Sequence, residues 1–223
     1  MTVRDGVTPR LGIAYVAALP PEGLREAAIT AEEAGLDEFW LWEDCFTHGG
    51  LTTTAAALAW THRIPVGIGL LPVPLRNVAL AAMELASLHR LFPGRLIAGI
   101  GHGVQEWMGQ TGARVASPMT LLQEYHDVLR GLLAGQTVTF EGRYVHVEDV
   151  TLSFPPAGEV ELMLGGRGPK SLAFAAQHGD GTLLDAGQGD AEIARTCALI
   201  RQARQTAKAE HLRHNVYALL IAA

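Results

Sequence analysis

Seven short apolar runs rich in β-formers alternate with helical segments along this 223-residue chain, and that alternation leaves few folds open. Leu11–Ala17 is the first run. Pro20 and Pro21 then open a helix whose apolar face is Leu24, Ala28 and Ala31 and which Gly35 ends. Asp37–Trp42 is followed by a helix over Thr52–Trp60, capped by one of Thr52 to Thr54, and Ile64–Leu71 by a helix over Val78–Leu91 that Pro93-Gly94 stops. Leu96–Gly101 leads through a longer connection into a helix carrying Leu121, Leu122, Tyr125, Val128, Leu129 and Leu132. Glu161–Leu164 precedes a helix over Pro169–His178, and Gly181–Asp185 one over Asp190–Ala209. Asn215–Ala222 is the seventh run.

Strands buried on both faces, each followed by a helix, specify a parallel α/β fold. No two-lobed division shows, so a single domain over residues 1–223 is expected: a TIM-type (β/α) barrel shortened to about seven βα units. The usual barrel has eight and takes ~250 residues. The rhythm breaks only at residues 137–154. There Val138, Phe140, Tyr144, Val147, Val150 and Leu152 alternate about a Glu141-Gly142 turn, which predicts a β-hairpin insertion. A barrel one unit short has a sheet edge that needs cover, and a homodimer is expected.

Composition enters as a set of exclusions. Lys plus Arg number 17 against 23 Asp plus Glu, a net charge of −6, so the basic face of a nucleic-acid binder is not expected. No apolar run reaches the ~18 residues of a membrane span. Two cysteines are too few for a disulfide framework, and no ligand spacing among nine histidines suggests a metal. Arg4 and Arg10 before Leu11–Leu19 invite a signal-peptide reading, but the run is short, Asp5 spoils the basic flank, and a helix follows directly. The first strand and a cytoplasmic protein are the expectation.

In a βα barrel the working residues lie at the C-terminal ends of the strands. Gly165, Gly166, Arg167, Gly168, Pro169, Lys170 and Ser171 end the fifth run and open a helix. Glycines there admit a close backbone approach, and the helix-start N–H groups with Ser171, Arg167 and Lys170 form a phosphate seat. The alternative is a glycine-rich turn with two solvated cations. Gly99, Gly101 and Gly103 spell G-x-G-x-G after the fourth strand, a weak dinucleotide signal because no acidic residue closes a second strand ~20 positions on. In a barrel these glycines would let a planar cofactor lie against the strand end beside His102. Glu43, Asp44 and Cys45 end the second strand, with His48 close behind. The carboxylates there would hold or move a proton, or else cap a helix or form a salt bridge. The candidate catalytic residues are therefore Asp44, Cys45 and His102, with inert packing the competing role for Cys45.

Taken together, these strand ends resemble the luciferase-like monooxygenase superfamily, which includes bacterial luciferase and the coenzyme F420-dependent oxidoreductases. The resemblance rests on AxxxAEEAGLDEFW from Ala27 to Trp40, EDCF at the end of the second strand, and RIPVGIGLLP followed by LRN. FPGRLIAGIGHG and GGRGPKS with a later GDG complete it. It implies a barrel holding F420 or FMN, with cofactor phosphate at Gly165–Ser171. It also implies a bulge with a non-proline cis peptide near Ile68-Gly69 that backs the cofactor ring. Many relatives follow the acidic residue of the second strand with a catalytic histidine. Here Cys45 stands in that place, and His48 or His102 would have to reach inward instead.

The leading reading is a flavin-type oxidoreductase, either a monooxygenase with reduced FMN or an F420-dependent hydride-transfer enzyme, acting on a small organic molecule. A non-catalytic flavin- or F420-binding protein is the alternative, which Cys45 and the missing eighth unit favour. A third is an enzyme of unrelated chemistry on a phosphorylated sugar. The 104–118 connection and the hairpin are expected to shape the substrate pocket.

Overall fold

The computed structural model describes residues 9–220. Seven parallel strands form one curled sheet in the order β1-β2-β3-β4-β7-β8-β9, where β1 is Gly12–Ala14, β2 Glu38–Leu41, β3 Val66–Pro72, β4 Leu96–Gly101, β7 Leu162–Gly165, β8 Gly181–Leu183 and β9 Asn215–Tyr217. The helices are α1 Leu24–Glu33, α2 Gly50–Trp60, α3 Val78–Leu91, α4 Gln105–Gln110, α5 Pro118–Leu133, α6 Pro169–His178 and α7 Asp190–Thr206. Strands β5 (Val138–Glu141) and β6 (His146–Val150) pair antiparallel as the expected hairpin. Among the described residues β1 and β9 do not pair, so the sheet is a barrel left open at one seam. Ile13 on β1 is 50% exposed and Val216 on β9 40%.

The main core lies between sheet and helices, where Phe39, Leu41, Ile68, Leu85, Ile100 and Leu122 are fully enclosed. The concave face carries its own small cluster: Ile97, Met163 and Leu183, with Trp40, Leu70 and Tyr217 against them. Large side chains lie there over glycines. A Cβ at Gly67 would overlap the Trp40 ring, and one at Gly99 would come within 2.5 Å of a Leu183 methyl. The Trp40 and Tyr217 rings meet at 4.8 Å across the interior.

Some boundaries differ from the sequence expectation. The first strand ends at Ala14, because an edge strand has a ladder on one side only. The cap of α2 is Gly49, not a threonine; Thr52 and Thr53 instead donate their hydroxyls back to the Gly49 carbonyl at 3.0 and 2.9 Å. The connection after β4 contains the short helix α4. Arg4 and Asp5, and the last two residues of the predicted seventh run, lie outside the described residues. Among the described residues no helix is long and apolar enough to cross a membrane.

At the end of the sheet away from the glycine loops, one carboxylate ties α1 to the approach to β3. Glu32 accepts the N–H groups of His62, Arg63 and Ile64 at 2.9, 2.6 and 2.9 Å. Burial is the largest single influence and raises its pKa, but the three N–H bonds and the Arg63 charge together outweigh it and bring the pKa down to about 2. A lowered folded-state pKa stabilises the protein above the unfolded value of 4.5, and that contribution is lost as pH falls through about 2. Glu32→Gln should therefore lose at most about 1 kcal/mol at neutral pH, since solvent screens this site. Denaturant unfolding across the acid range should show the deficit vanishing near pH 2, where Glu32 itself protonates.

Candidate functional site

The C-terminal strand ends open into a cavity of about 880 Å³, within the range of small-molecule and cofactor sites. Asp44, Gly69, His102, Gly103, Gly165, Gly166 and Arg167 line it together, although they come from four separate strand ends. The cavity continues down the open concave face to Trp40, Glu38 and Tyr217.

The glycine-rich turn after β7 works through its neighbours. Gly168 is the residue before the first turn of α6, with Pro169 at the first helical position, so the next N–H groups are free of intrahelical partners. Ser171 is buried beneath the turn, and a Cβ at Gly166 would overlap it. Gly166 is thus the position that lets the turn sit down on the helix start. Arg167 lies at the cavity rim, with its guanidinium 3.4 Å from the Asp185 carboxylate, which holds it in place but also offsets its charge. Lys170 is exposed and lies off the cavity lining, as does Gly168.

At the end of β3 the ladder with β4 slips between Ile68 and Leu71, a bulge, and the peptide bond Gly69-Leu70 is cis. The expected position was one bond earlier, at Ile68-Gly69. Ile68 is fully buried among the helices on the far side of the sheet, so its side chain does not face the cavity. Leu70 faces it instead, and sequence reasoning missed this residue. Its methyls lie where a Cβ at Gly101 would come within 2.6 Å and where one at Gly165 would overlap. Gly101 and Gly165 therefore make room for Leu70, which stands between the strand-four backbone and any planar ligand. Direct stacking of a cofactor on Gly101 is thereby corrected. The signal available in the sequence was two interior glycines on neighbouring strands with no stated occupant.

The two adjacent carboxylates at the end of β2 have different fates. Glu43 accepts two hydrogen bonds from the Arg76 guanidinium, at 2.7 and 3.0 Å, and the Gly50 N–H at 2.8 Å. Its lone pairs are committed to fixing the loop against the start of α2. Asp44 is the carboxylate left for chemistry. Burial raises its pKa, while the Trp42 indole N–H and the neighbouring His48 partly counter that. Cys45 does not line the cavity, and its peptide bond to Phe46 is cis. Burial and then the charges of Glu43 and Asp44 push its thiol pKa up, the opposite of what a nucleophilic thiolate needs.

His102 lines the cavity, with Nδ1 3.0 Å from the Gly103 carbonyl. A carbonyl only accepts, so Nδ1 carries the proton and Nε2 of the neutral ring keeps its lone pair. Gly103 has φ +69, and a Cβ there would come within 2.9 Å of Pro72. From the 104–118 connection Val104 and Trp107 reach the mouth, but the hairpin does not. It lines a separate cavity of about 470 Å³ with Arg76, Tyr125 and Tyr144, so its expected role at the mouth is not met. Among the described residues no group of three metal-ligating side chains occurs.

The donor set suits an anionic, planar cofactor. Gly165, Gly166 and Arg167 line one end of the cavity, immediately ahead of the start of α6, and the Leu70 bulge supplies an apolar wall beside them.

The chain is 32% identical over 176 residues to a 5,10-methylenetetrahydromethanopterin reductase of Methanolobus tindarius, covering 78% of this chain and 53% of that protein. It is 32% identical over 188 residues to an F420-dependent glucose-6-phosphate dehydrogenase of Kineococcus radiotolerans, covering 76% and 54%. The chain thus spans about half the length of the curated relatives it matches. A solved F420-dependent secondary alcohol dehydrogenase, in complex with an F420-acetone adduct, superposes with a TM-score of 0.83 at 24% identity, over 93% of this chain and 68% of that one. Residues 7–223 match the family described as luciferase-like monooxygenase, and the chain belongs to that family.

Proposed function

We propose that this chain carries the cofactor half of an oxidoreductase active site, taking F420 or FMN and acting on a small organic molecule. The observation that carries the reading is the convergence of Asp44, the Gly69-Leu70 bulge, His102 and the Gly166-Arg167 turn on one cavity. F420 is preferred, because the relatives at 32% identity include a dehydrogenase named for it. When bound, such a cofactor supplies hydride acceptance or donation. The chain's own residues do the rest. Helix α6 and Arg167 hold the phosphate end, Leu70 and Gly69 support the ring, and His102 presents a lone pair from the strand-four side. Asp44 takes or returns the substrate proton.

A homodimer in the cytoplasm completes the proposal. Leu80, Met83 and Leu91 on α3 are exposed apolar side chains that a second copy would cover.

The non-catalytic reading has one observation in its favour: the thiol at Cys45, off the cavity and with a raised pKa, adds no acid–base group to Asp44. Fluorescence titration of the purified protein with F420 and, separately, FMN tests the first step. Saturation at micromolar or tighter affinity by one of them supports the cofactor assignment, and binding of neither by folded protein refutes it. A following screen for turnover separates enzyme from binding protein.

A further inference from the structure

The cavity under the hairpin shares no lining residue with the one at the strand ends. At about 470 Å³ it falls in the size range of small-molecule sites. Val73 walls it from the turn after β3, Leu121 and Tyr125 from α5, and Val145 from the hairpin, an apolar lining for the most part. These walls are fixed in place. Glu124 on α5 accepts the N–H groups of Arg143, Tyr144 and Val145 at 2.8, 2.8 and 3.1 Å, and the Tyr144 hydroxyl accepts the Ser117 N–H at 2.9 Å. Held at both points, the hairpin stays off the start of α3, and the space between them is preformed.

One polar group in this lining is left without a partner. Tyr125 is 2% exposed, yet among the described residues its hydroxyl makes no hydrogen bond. A buried phenol normally finds one. Tyr15 and Tyr144 show the ordinary case, the first donating to the Pro20 carbonyl at 2.5 Å and the second accepting from Ser117. Burial pushes the Tyr125 phenol pKa up against the Arg76 charge, with Glu84 and Glu43 adding to the rise, so the hydroxyl keeps its proton and is a donor.

The charged groups beside it are already paired. Arg76 lines the cavity but is held by Glu43 at 2.7 Å and lies 3.7 Å from Glu84. Two carboxylates about one guanidinium leave a net negative charge behind that wall, which disfavours an anion. His146 lies 3.2 Å from the Glu141 carboxylate. We propose that this cavity is a second ligand site, taking an uncharged, mostly apolar small molecule with one acceptor oxygen that receives the Tyr125 O–H. The site goes beyond the oxidoreductase reading and stands independently of it.

The test uses the whole chain labelled with 3-fluorotyrosine, acetophenone as the probe and benzoate as its anionic counterpart. Of the four tyrosines, Tyr125 and Tyr144 line this cavity and Tyr217 lines the other. Fluorine NMR, with each signal assigned by replacement with Phe, should show Tyr125 and Tyr144 shifting and saturating at millimolar acetophenone or below, while Tyr217 stays still. Benzoate should bind at least about tenfold more weakly. Tyr125→Phe keeps the ring and removes the donor, so acetophenone affinity, read at Tyr144, should fall about tenfold. Its melting temperature should match or exceed that of wild type, because the hydroxyl has no protein partner to lose. Absence of a saturable shift at Tyr125 overturns the site, and movement of Tyr217 without Tyr125 does so by sending the probe to the strand ends. Equal binding of benzoate overturns the ligand class. A lowered melting temperature in Tyr125→Phe makes the hydroxyl structural and overturns its role, and shifts that follow protein concentration instead of probe put a second copy in the cavity. No arm of the test requires F420 or FMN, so failure here leaves the cofactor titration to be decided separately.

Discussion

Gly166→Val should weaken cofactor binding about a hundredfold, the equivalent of ~2.7 kcal/mol. The reason lies beneath the turn. A side chain at residue 166 overlaps Ser171, which is buried in the first turn of α6 and has nowhere to retreat. Relief of that overlap moves either the helix start or the Arg167 backbone, and both carry groups meant for the phosphate. The neighbouring glycine is the control. At Gly168 the nearest atom to an added Cβ is the Ser171 hydroxyl at 3.9 Å, and its φ of −80° is ordinary for any residue. Gly168→Ala should therefore bind within about threefold of wild type, a change worth well under ~1 kcal/mol. Arg167→Ala should fall between them, with a loss that shrinks in high salt, because this exposed guanidinium is already partly neutralised by Asp185. Titration of the three variants with the cofactor that wild type binds, alongside thermal melts, checks the order. Equal affinity for Gly166→Val and wild type would remove the turn from the cofactor site.

What the sequence reveals about this fold follows from where its signals are local. Strand β4 and helices α3 and α6 occupy the residues the pattern predicts, because both ends of each are marked: α3 by the Asn77 cap and Pro93-Gly94, α6 by Pro169 and Gly179. The end of β1 is not marked, since its edge position is a property of the whole sheet. The same division runs through the site. GGRGPKS announces a turn and a helix start in a single stretch, and the structure delivers both. Which of Glu43 and Asp44 is free for chemistry depends on Arg76, which lies 33 positions along the chain. No local pattern contains that information. Leu70 is the sharpest case: it reads as one more residue of an apolar strand, and only the curl of the sheet brings it over Gly101 and Gly165. The interior glycines read most directly as ligand space, whereas several of them are filled by the protein's own side chains.

Asp44→Asn should slow turnover about a hundredfold or more while leaving cofactor affinity within about threefold of wild type. The amide keeps the shape and an oxygen to accept the Trp42 N–H, but it takes up no proton. A second effect runs the opposite way. Burial raises the folded-state pKa of Asp44 above 3.8, so the folded protein binds that proton more tightly than the unfolded chain does. The stabilisation from this group is full below 3.8 and is lost as pH rises through the folded pKa, which leaves a buried charge as a cost at neutral pH. Removing the charge should therefore raise the melting temperature at neutral pH, and the gain should fade on acidification. Activity and stability moving in opposite directions is the mark of a group retained for chemistry at some cost to the fold. A packing or capping aspartate would behave otherwise, losing stability on substitution and turnover only in proportion. Melting curves across pH, run beside turnover at each pH, separate the two. A lowered melting temperature with normal turnover would return Asp44 to a structural role and leave His102 as the ionisable side chain for chemistry on the strand-four side of the cavity.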